Sequence, residues 1–233
     1  MTNPTVYTGY DTWKGLGEDQ FMGLTPGADL YFDRDLRGVP VAGERVLEIG
    51  FGNGEFLAWC KARGAHLYGT ELSERGQRLA AARDVIVLPS DLAVSLDAYR
   101  SGFGVIAAFD VLEHLSFDAI RTLLDQIALL LRPGGYCVAR FPNGQSPFVG
   151  LHQAGDYTHI STLSASIMTQ FTQGTALEIV RADSSAVPSP GVLRKLRGVA
   201  RNGFEATLRG LYGIRTPLGP NLTVVLRKKE GAE

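Results

Sequence analysis

The stretch RVLEIGFGNGE, residues 45–55, decides the fold of this 233-residue chain. It begins with a short apolar run that predicts a buried strand, and it continues through alternate glycines into a helical pattern. The glycines are Gly50, Gly52 and Gly54, and an acid, Glu55, follows them. Because glycine has no Cβ, the turn can be tight, and a ligand can lie against bare backbone at the carboxyl edge of the sheet. The stretch therefore predicts a strand, a ligand-binding turn and a helix.

Strands and helices alternate outward from this stretch. Predicted strands cover 45–49, 65–70, 85–88, 104–109 and 136–141, and predicted helices cover 27–36, 55–63, 73–83 and 117–131. The strands are continuously apolar, which favours a parallel sheet that is covered on both faces. Towards the C-terminus the pattern weakens, and we predict helices over 161–173 and 192–208 and strands over 177–182 and 222–227.

Composition limits the class of protein. Hydrophobic residues make up 45% of the chain and the formal net charge is −1, which predicts one sizeable core and no extensive nucleic-acid surface. No apolar run reaches the roughly 18 residues of a membrane span, and the N-terminus lacks the pattern of a secretory signal. The cysteines, Cys60 and Cys137, lie in apolar segments, which predicts buried thiols in a cytoplasmic protein.

The charges around the glycine turn indicate the kind of ligand. A dinucleotide site needs its third glycine one residue later, and the carboxylate of Glu55 would repel phosphates at the start of the helix. Acids also stand near the ends of the strands, which favours a positively charged ligand: Glu48, Glu71, Asp91 and Asp110. A nicotinamide oxidoreductase is the main rival, but the Tyr-x-x-x-Lys pair, Tyr10 and Lys14, precedes the first strand.

Five segments, in order and spacing, resemble the class I S-adenosylmethionine-dependent methyltransferases, in particular small domains related to ubiquinone-pathway enzymes. They are VLEIGFGNG (46–54), GTELS (69–73), SDL (90–92), FDVLEHL (109–115) and LLRPGGYCVARFPN (130–143). The resemblance implies an α/β, Rossmann-like fold with a seven-stranded, mostly parallel sheet, helices on both faces and an antiparallel last strand. It also implies an enzyme that uses S-adenosylmethionine. The alternative to an enzyme is a non-catalytic protein that binds the cofactor.

The resemblance also assigns cofactor contacts to individual residues. It implies that the methionine moiety lies near Glu48, Gly50, Gly52, Gly54 and Asp110, the ribose near Glu71, and the adenine near Asp91 and Leu92. Leu72 is a further expected cofactor contact. An N-terminal aromatic residue, Tyr7 or Tyr10, would close over the cofactor.

Methylation of a hydroxyl needs a base that removes its proton. His114 and His159 are our catalytic candidates, because each follows a strand that ends at the carboxyl edge and histidine is basic near neutral pH. The pattern Asp110, Glu113 and His114, with His159 later, also resembles metal-assisted O-methyltransferases, although their first position is usually Glu. A divalent metal at these four residues is therefore an alternative.

The sequence predicts an N-terminal cap segment, residues 1–43, and a cofactor-binding domain, residues 44–233, with a basic helical insertion at about 188–217. The insertion contains six basic residues against one acid, Glu205: Arg194, Lys195, Arg197, Arg201, Arg209 and Arg215. The sequence leaves three interpretations of this segment open: a solvated helix face, a lid that receives an anionic group, or a surface that contacts a membrane.

The methyl acceptor is the least defined part of the prediction. Residues 140–148 and GDYTH (155–159) resemble methyltransferases of polysaccharide and glycolipid assembly, which implies O-methylation of a sugar hydroxyl, on an acceptor that can be anionic. A phenolic or quinone-type hydroxyl is the alternative. Nucleic-acid methylation is disfavoured because the basic segment is short and no Asn/Asp-Pro-Pro-Tyr motif is present. A homodimer is compatible with the sequence.

Overall fold

The computed structural model describes residues 20–185, 192–213 and 216–231. Its strands are β1 (Arg45–Ile49), β2 (His66–Thr70), β3 (Ile86–Val87), β4 (Phe103–Phe109), β5 (Leu131–Pro142), β6 (Leu177–Ser185) and β7 (Asn221–Lys228). In the described part of the chain they form one seven-stranded sheet in the order β3-β2-β1-β4-β5-β7-β6. β7 runs antiparallel to β5 and β6, and the remaining neighbours pair in parallel. The predicted sheet and its antiparallel last strand are confirmed.

The described helices are α1 (Ala28–Asp35), α2 (Glu55–Lys61), α3 (Glu74–Ala81), α4 (Leu96–Tyr99), α5 (Phe117–Leu130), α6 (Gly150–Gln153), α7 (Ala165–Thr172) and α8 (Val192–Tyr212). Serine side chains begin α3, α5 and α7, where Ser73, Ser116 and Ser164 each accept a hydrogen bond from a backbone N–H three residues later. α7 therefore begins later than the predicted 161, because Ser164 is the residue that caps it.

β5 differs from the prediction at its start. Helix α5 ends at Leu130 and the strand begins at the next residue, Leu131, which pairs with Phe103 before the register of β4 and β5 shifts, so the Pro-Gly-Gly run lies within the strand. Gly135 permits this path, because an added Cβ would lie 2.9 Å from the carbonyl oxygen of Arg132 and 3.1 Å from that of Phe103. The prediction of 136–141 began too late because it took Pro133, Gly134 and Gly135 as the terminator of the helix and not as part of the strand.

Alternate residues of the central strands face opposite sides of the sheet. Leu47 and Ile106 belong to the buried cluster on one side, which α5 and α7 cover. Val46 and Val105 belong to the cluster on the other side, which α1 and α2 cover. Both faces are therefore apolar and covered, as the continuous apolar strands predicted.

Helix α1 lies against the far edge of the sheet through contacts with β6. The Arg34 guanidinium donates to the Ser184 carbonyl oxygen at 3.2 Å, and Arg37 pairs with Asp183 at 2.7 Å. Arg181 donates to the carbonyl oxygen of Asp35 at 2.8 Å. These contacts join residues about 146 positions apart in sequence, so the helix is held where its apolar face meets the core.

The predicted basic segment forms a long helix over the residues that the structure describes there. α8 spans 21 residues, four residues beyond the predicted end, and Arg209 pairs with Glu205 at 3.5 Å. Arg215 lies outside the described residues, as do 186–191. Among the helices described, none has the length and apolar character needed to span a membrane.

Candidate active site

A cavity of about 790 Å³ opens at the carboxyl edge of β1, β2 and β4. Its walls come from the glycine turn, the ends of these strands, the start of α3, one side of α5 and the aromatic face of α1. Of the residues predicted to touch the cofactor, these line the cavity: Glu48, Gly50, Gly52, Glu71, Leu72, Leu92 and Asp110. The topology therefore brings most of the predicted contacts into one space.

The glycine turn has the backbone conformation that its sequence requires. Gly50 has φ +67°, Gly52 +50° and Gly54 +68°, which is the left-handed region that other residues avoid. The N–H groups of Gly50 and Phe51 donate to the Thr70 carbonyl oxygen, which ties the turn to the end of β2. Gly54 faces away from the cavity, where an added Cβ would lie 2.8 Å from Met22.

Glu71 joins the glycine turn to helix α3. One of its carboxylate oxygens accepts the N–H of Gly52 at 2.9 Å, and the other accepts the N–H groups of Leu72 at 2.7 Å and Ser73 at 3.1 Å. Gly76, on the first turn of α3, lets the Glu71 side chain pass, because an added Cβ would lie 3.0 Å from the Glu71 Cγ. The carboxylate is thus fixed at the cavity wall by backbone donors.

The third strand leads to a short 3₁₀ turn, Leu92–Ser95. The Asp91 side chain accepts the Ala93 N–H at 3.0 Å and caps this turn. Among the described residues, Ser90 and Leu92 line the cavity while Asp91 does not. Asp91 therefore shapes this wall, and its neighbours present their side chains to the cavity.

The floor of the cavity contains a group that the sequence analysis did not single out. Arg140, at the end of β5, binds Asp110 through two hydrogen bonds, of which the one from Nε is 3.2 Å long. Its guanidinium carbon lies 4.9 Å from the ring centroid of Tyr31 and 4.8 Å from that of Phe109. Although burial opposes the charge, Asp110 and other acids keep the pKa of Arg140 above its usual value. The only hint in the sequence was an arginine at the end of an apolar strand.

Glu48 faces the same floor and is fully buried. Burial raises the pKa of its carboxyl well above the usual value, the charge of Arg140 lowers it, and the charge of Glu71 raises it further. One oxygen of Glu48 and the Nη1 atom of Arg140 find no hydrogen-bond partner among the described residues. These two buried atoms give the floor both an acidic and a basic group with unused bonding capacity.

His114 and His159 come together at the mouth of the cavity. Their ring centroids lie 4.7 Å apart with an interplanar angle of 68°. His114 lines the cavity, and the Thr158 hydroxyl lies 2.9 Å from its Nδ1. Of the two predicted bases, His114 is therefore the one that faces the cavity, and His159 packs behind it.

The four residues considered as metal ligands are only partly assembled. Ligand atoms of Glu113, His114 and His159 all lie within 4.8 Å of one another. The Asp110 carboxylate instead has both oxygens bound to Arg140. The donor set therefore departs from the predicted one, and a metal gains no support from it. Tyr7 and Tyr10 lie outside the described residues.

Comparisons with known proteins identify the family. A family profile described as a methyltransferase domain matches residues 31–182. A ubiquinone biosynthesis O-methyltransferase from Ralstonia nicotianae is 31% identical over 106 residues, which are 42% of this chain and 42% of that protein. The match thus spans about two fifths of that relative's length.

Solved structures share the fold over nearly the whole chain. A SAM-dependent methyltransferase from Archaeoglobus fulgidus has a TM-score of 0.66 at 19% identity, covering 95% of this chain and 99% of that one. An S-adenosylmethionine-dependent methyltransferase from Mesorhizobium loti has a TM-score of 0.59 at 17% identity, covering 91% and 100%. At these identities the likeness concerns the fold.

Proposed function

Since the chain belongs to the S-adenosylmethionine-dependent methyltransferases, we propose that it methylates a hydroxyl group of a small acceptor molecule, with His114 as the general base. The observation that carries this proposal is the position of His114, which lines the cavity beside the acidic edge expected to hold the cofactor.

The cofactor fits the charges and shape of the cavity wall. We assign the methionine moiety to Gly50, Gly52 and the floor at Glu48 and Asp110, because a sulfonium and an ammonium group are attracted to carboxylates. The ribose hydroxyls go to Glu71, whose carboxylate is held in place by backbone donors. The adenine goes to the apolar wall at Leu92 and Leu72, with Ser90 beside them; Asp91 contributes by capping the turn.

The chemistry then requires one base. The bound cofactor supplies a methyl group on a positively charged sulfur, so the thioether leaves without an acid. His114 takes the hydroxyl proton, the oxygen gains the methyl group, and the products are a methyl ether and S-adenosylhomocysteine. A positioned base of this kind contributes roughly 10²–10⁴-fold to the rate.

The aromatic side chains that line the cavity favour a flat aromatic acceptor. Phe32, Phe56 and Phe109 pack together along the cavity with centroid separations of 5.0–5.9 Å. Such walls suit a phenolic ring, and the curated relative is named for ubiquinone biosynthesis. We therefore place the phenolic acceptor ahead of the sugar hydroxyl. The sugar stays a second candidate because residues 140–148 and 155–159 resemble methyltransferases of polysaccharide assembly.

Transfer of a labelled methyl group from S-adenosylmethionine to defined acceptors tests the proposal. We expect methylation of a catechol or a related phenol, a loss of about 10²–10⁴-fold in His114→Gln, and normal activity in His152→Gln. His152 is an exposed histidine of α6 and is the matched control. Activity should also survive EDTA, because Asp110 is engaged by Arg140.

Other outcomes have definite meanings. Methylation of methyl glycosides but not of phenols would select the sugar candidate. Loss of activity in EDTA that is reversed by Mg²⁺ would restore the metal alternative. Methylation of amines alone, or full activity of His114→Gln, would contradict the proposal. Three expectations stay predictions. They are a homodimer, a membrane contact of the basic helix, and the division into a cap segment, 1–43, and a cofactor-binding domain, 44–233.

A further inference from the structure

We propose that Asp156 and Thr158 are positioning residues that fix the proton of neutral His114 on Nδ1, so that its basic lone pair lies on Nε2. This inference rests on the proposed function, because it specifies which nitrogen of His114 acts as the base. It concerns the loop between α6 and α7, which contributes no residue to the predicted site other than His159.

The first link is the Asp156 carboxylate. One of its oxygens, Oδ1, accepts the Thr158 hydroxyl at 2.5 Å and the Thr158 backbone N–H at 2.9 Å. Partial burial alone would raise its pKa, but these hydrogen bonds and the nearby histidines lower it below the usual value. Asp156 is therefore ionised at neutral pH, and an ionised carboxylate only accepts hydrogen bonds.

The second link follows from counting hydrogens on Thr158. A hydroxyl has one hydrogen to donate, and Asp156 takes it. The hydroxyl oxygen lies 2.9 Å from Nδ1 of His114, and there it can only accept. Nδ1 must then be the protonated nitrogen. In the neutral ring, the lone pair that can remove a proton is on Nε2.

The loop is held against the His114 turn by its backbone. The N–H groups of Ile160 and Ser161 donate to the Glu113 carbonyl oxygen at 2.9 and 3.0 Å. The Ser161 hydroxyl donates to the Leu115 carbonyl oxygen. Contacts on both sides of His114 therefore keep Thr158 opposite its ring.

The chain Asp156–Thr158–His114 also accounts for the charge that forms during reaction. When Nε2 takes the proton of the acceptor, the imidazole becomes a cation. The negative charge of Asp156 stabilises that cation through the polarised Thr158 hydroxyl. The proton moves only from acceptor oxygen to Nε2, and the Nδ1 proton stays on the ring.

The direct test is ¹⁵N NMR of the full chain labelled at histidine, with S-adenosylhomocysteine bound and the pH high enough for neutral rings. His114→Gln assigns the signal. We expect the proton of His114 on Nδ1 in the wild type and in Thr158→Ser, which keeps the hydroxyl. Thr158→Val should shift it towards Nε2. Asp156→Ala should do the same, because without the carboxylate the Thr158 hydroxyl hydrogen can be donated to Nδ1.

Thr162→Val is the matched control, since Thr162 is exposed in the same loop and its substitution should leave the tautomer unchanged. A wild-type proton on Nε2, or no change in Thr158→Val, would overturn the inference.

Kinetics separates this inference from the proposed function. With the phenol that the transfer assay identifies, Thr158→Val should lower kcat by 10-fold or more, leave the affinity for S-adenosylhomocysteine unchanged, and be rescued by Thr158→Ser. The expected tautomer together with full activity of His114→Gln would refute the base and leave the proton position established. An unexpected tautomer with an inactive His114→Gln would refute the inference and keep the base.

Discussion

At the residue scale, the buried carboxyl of Glu48 makes the stability of the folded protein depend on pH. Burial raises its pKa above the usual value, and Glu71 adds to this while Arg140 opposes it. In the unfolded chain the group ionises near its usual pKa of about 4.3. Ionisation therefore favours the unfolded state as the pH rises from there towards the folded-state pKa.

Glu48→Gln should remove this loss of stability. In the ligand-free protein, the free energy of unfolding of the variant relative to the wild type should grow between about pH 5 and pH 8. Urea unfolding at both pH values measures the difference. Asp35→Asn is the companion variant, because burial raises the pKa of Asp35 as well. Equal differences at both pH values would show that Glu48 ionises as freely in the folded protein as in the unfolded chain.

At the scale of elements, a side chain added in the glycine turn would have two effects, a cost in backbone conformation and an obstruction of the ligand. An alanine at Gly52 would have to adopt a φ of +50°, which costs roughly 1–2 kcal/mol. Its Cβ would meet no described atom within 4 Å, because it would project into open space at the cavity. The backbone cost and the obstruction of the ligand can thus be measured independently.

We predict that Gly52→Ala lowers the free energy of unfolding by about 1–2 kcal/mol and weakens S-adenosylhomocysteine binding by at least 10-fold. Gly38→Ala is the matched control, because Gly38 has φ +79° and also has open space at its Cβ, away from the cavity. It should lose similar stability and keep normal affinity. Equal affinities of the two variants would mean that the ligand does not touch the turn at Gly52.

Elements with strong local signals were predicted from the sequence, and those set by distant contacts were not. The strand at Arg45–Ile49 and the helix at Phe117–Leu130 follow from periodicity, capping serines and glycines. The role of Arg140 depends on Asp110 and Tyr31, which reach it from other elements. The pairing of His114 with Thr158 joins residues 44 positions apart, so spacing alone could not reveal it.

At the scale of the whole molecule, α1 and β6 form a brace behind the cavity. Arg181 donates to the carbonyl oxygens of Asp35 at 2.8 Å and Arg37 at 3.3 Å, and it pairs with Asp183. Phe32, on the same helix, lines the cavity. Loss of the Arg181 hydrogen bonds should therefore alter the position of Phe32 in the cavity wall, although Arg181 itself does not line the cavity.

Arg181→Met should lower the free energy of unfolding by about 1.5–3 kcal/mol, the value of hydrogen bonds made by a charged group. Amide hydrogen exchange should increase selectively in α1. Arg227→Met is the control, because Arg227, on the neighbouring strand β7, donates to the Gly134 carbonyl oxygen and to Glu230 rather than to Asp35 and Arg37. If exchange in α1 rises equally in both variants, the contacts of Arg181 do not specifically stabilise α1.

The measurement that tests the central claim most directly is calorimetric titration with S-adenosylmethionine, S-adenosylhomocysteine and NAD. The two adenosyl ligands should bind in the micromolar range and NAD should not bind. Glu71→Ala and the closer Glu71→Gln should weaken adenosyl binding by about 10–100-fold, as expected for lost hydrogen bonds to a charged group. Glu74→Ala, at an exposed glutamate three residues later, should bind normally. Tight binding of NAD, or unchanged adenosyl affinity in both Glu71 variants, would contradict the proposed cofactor site.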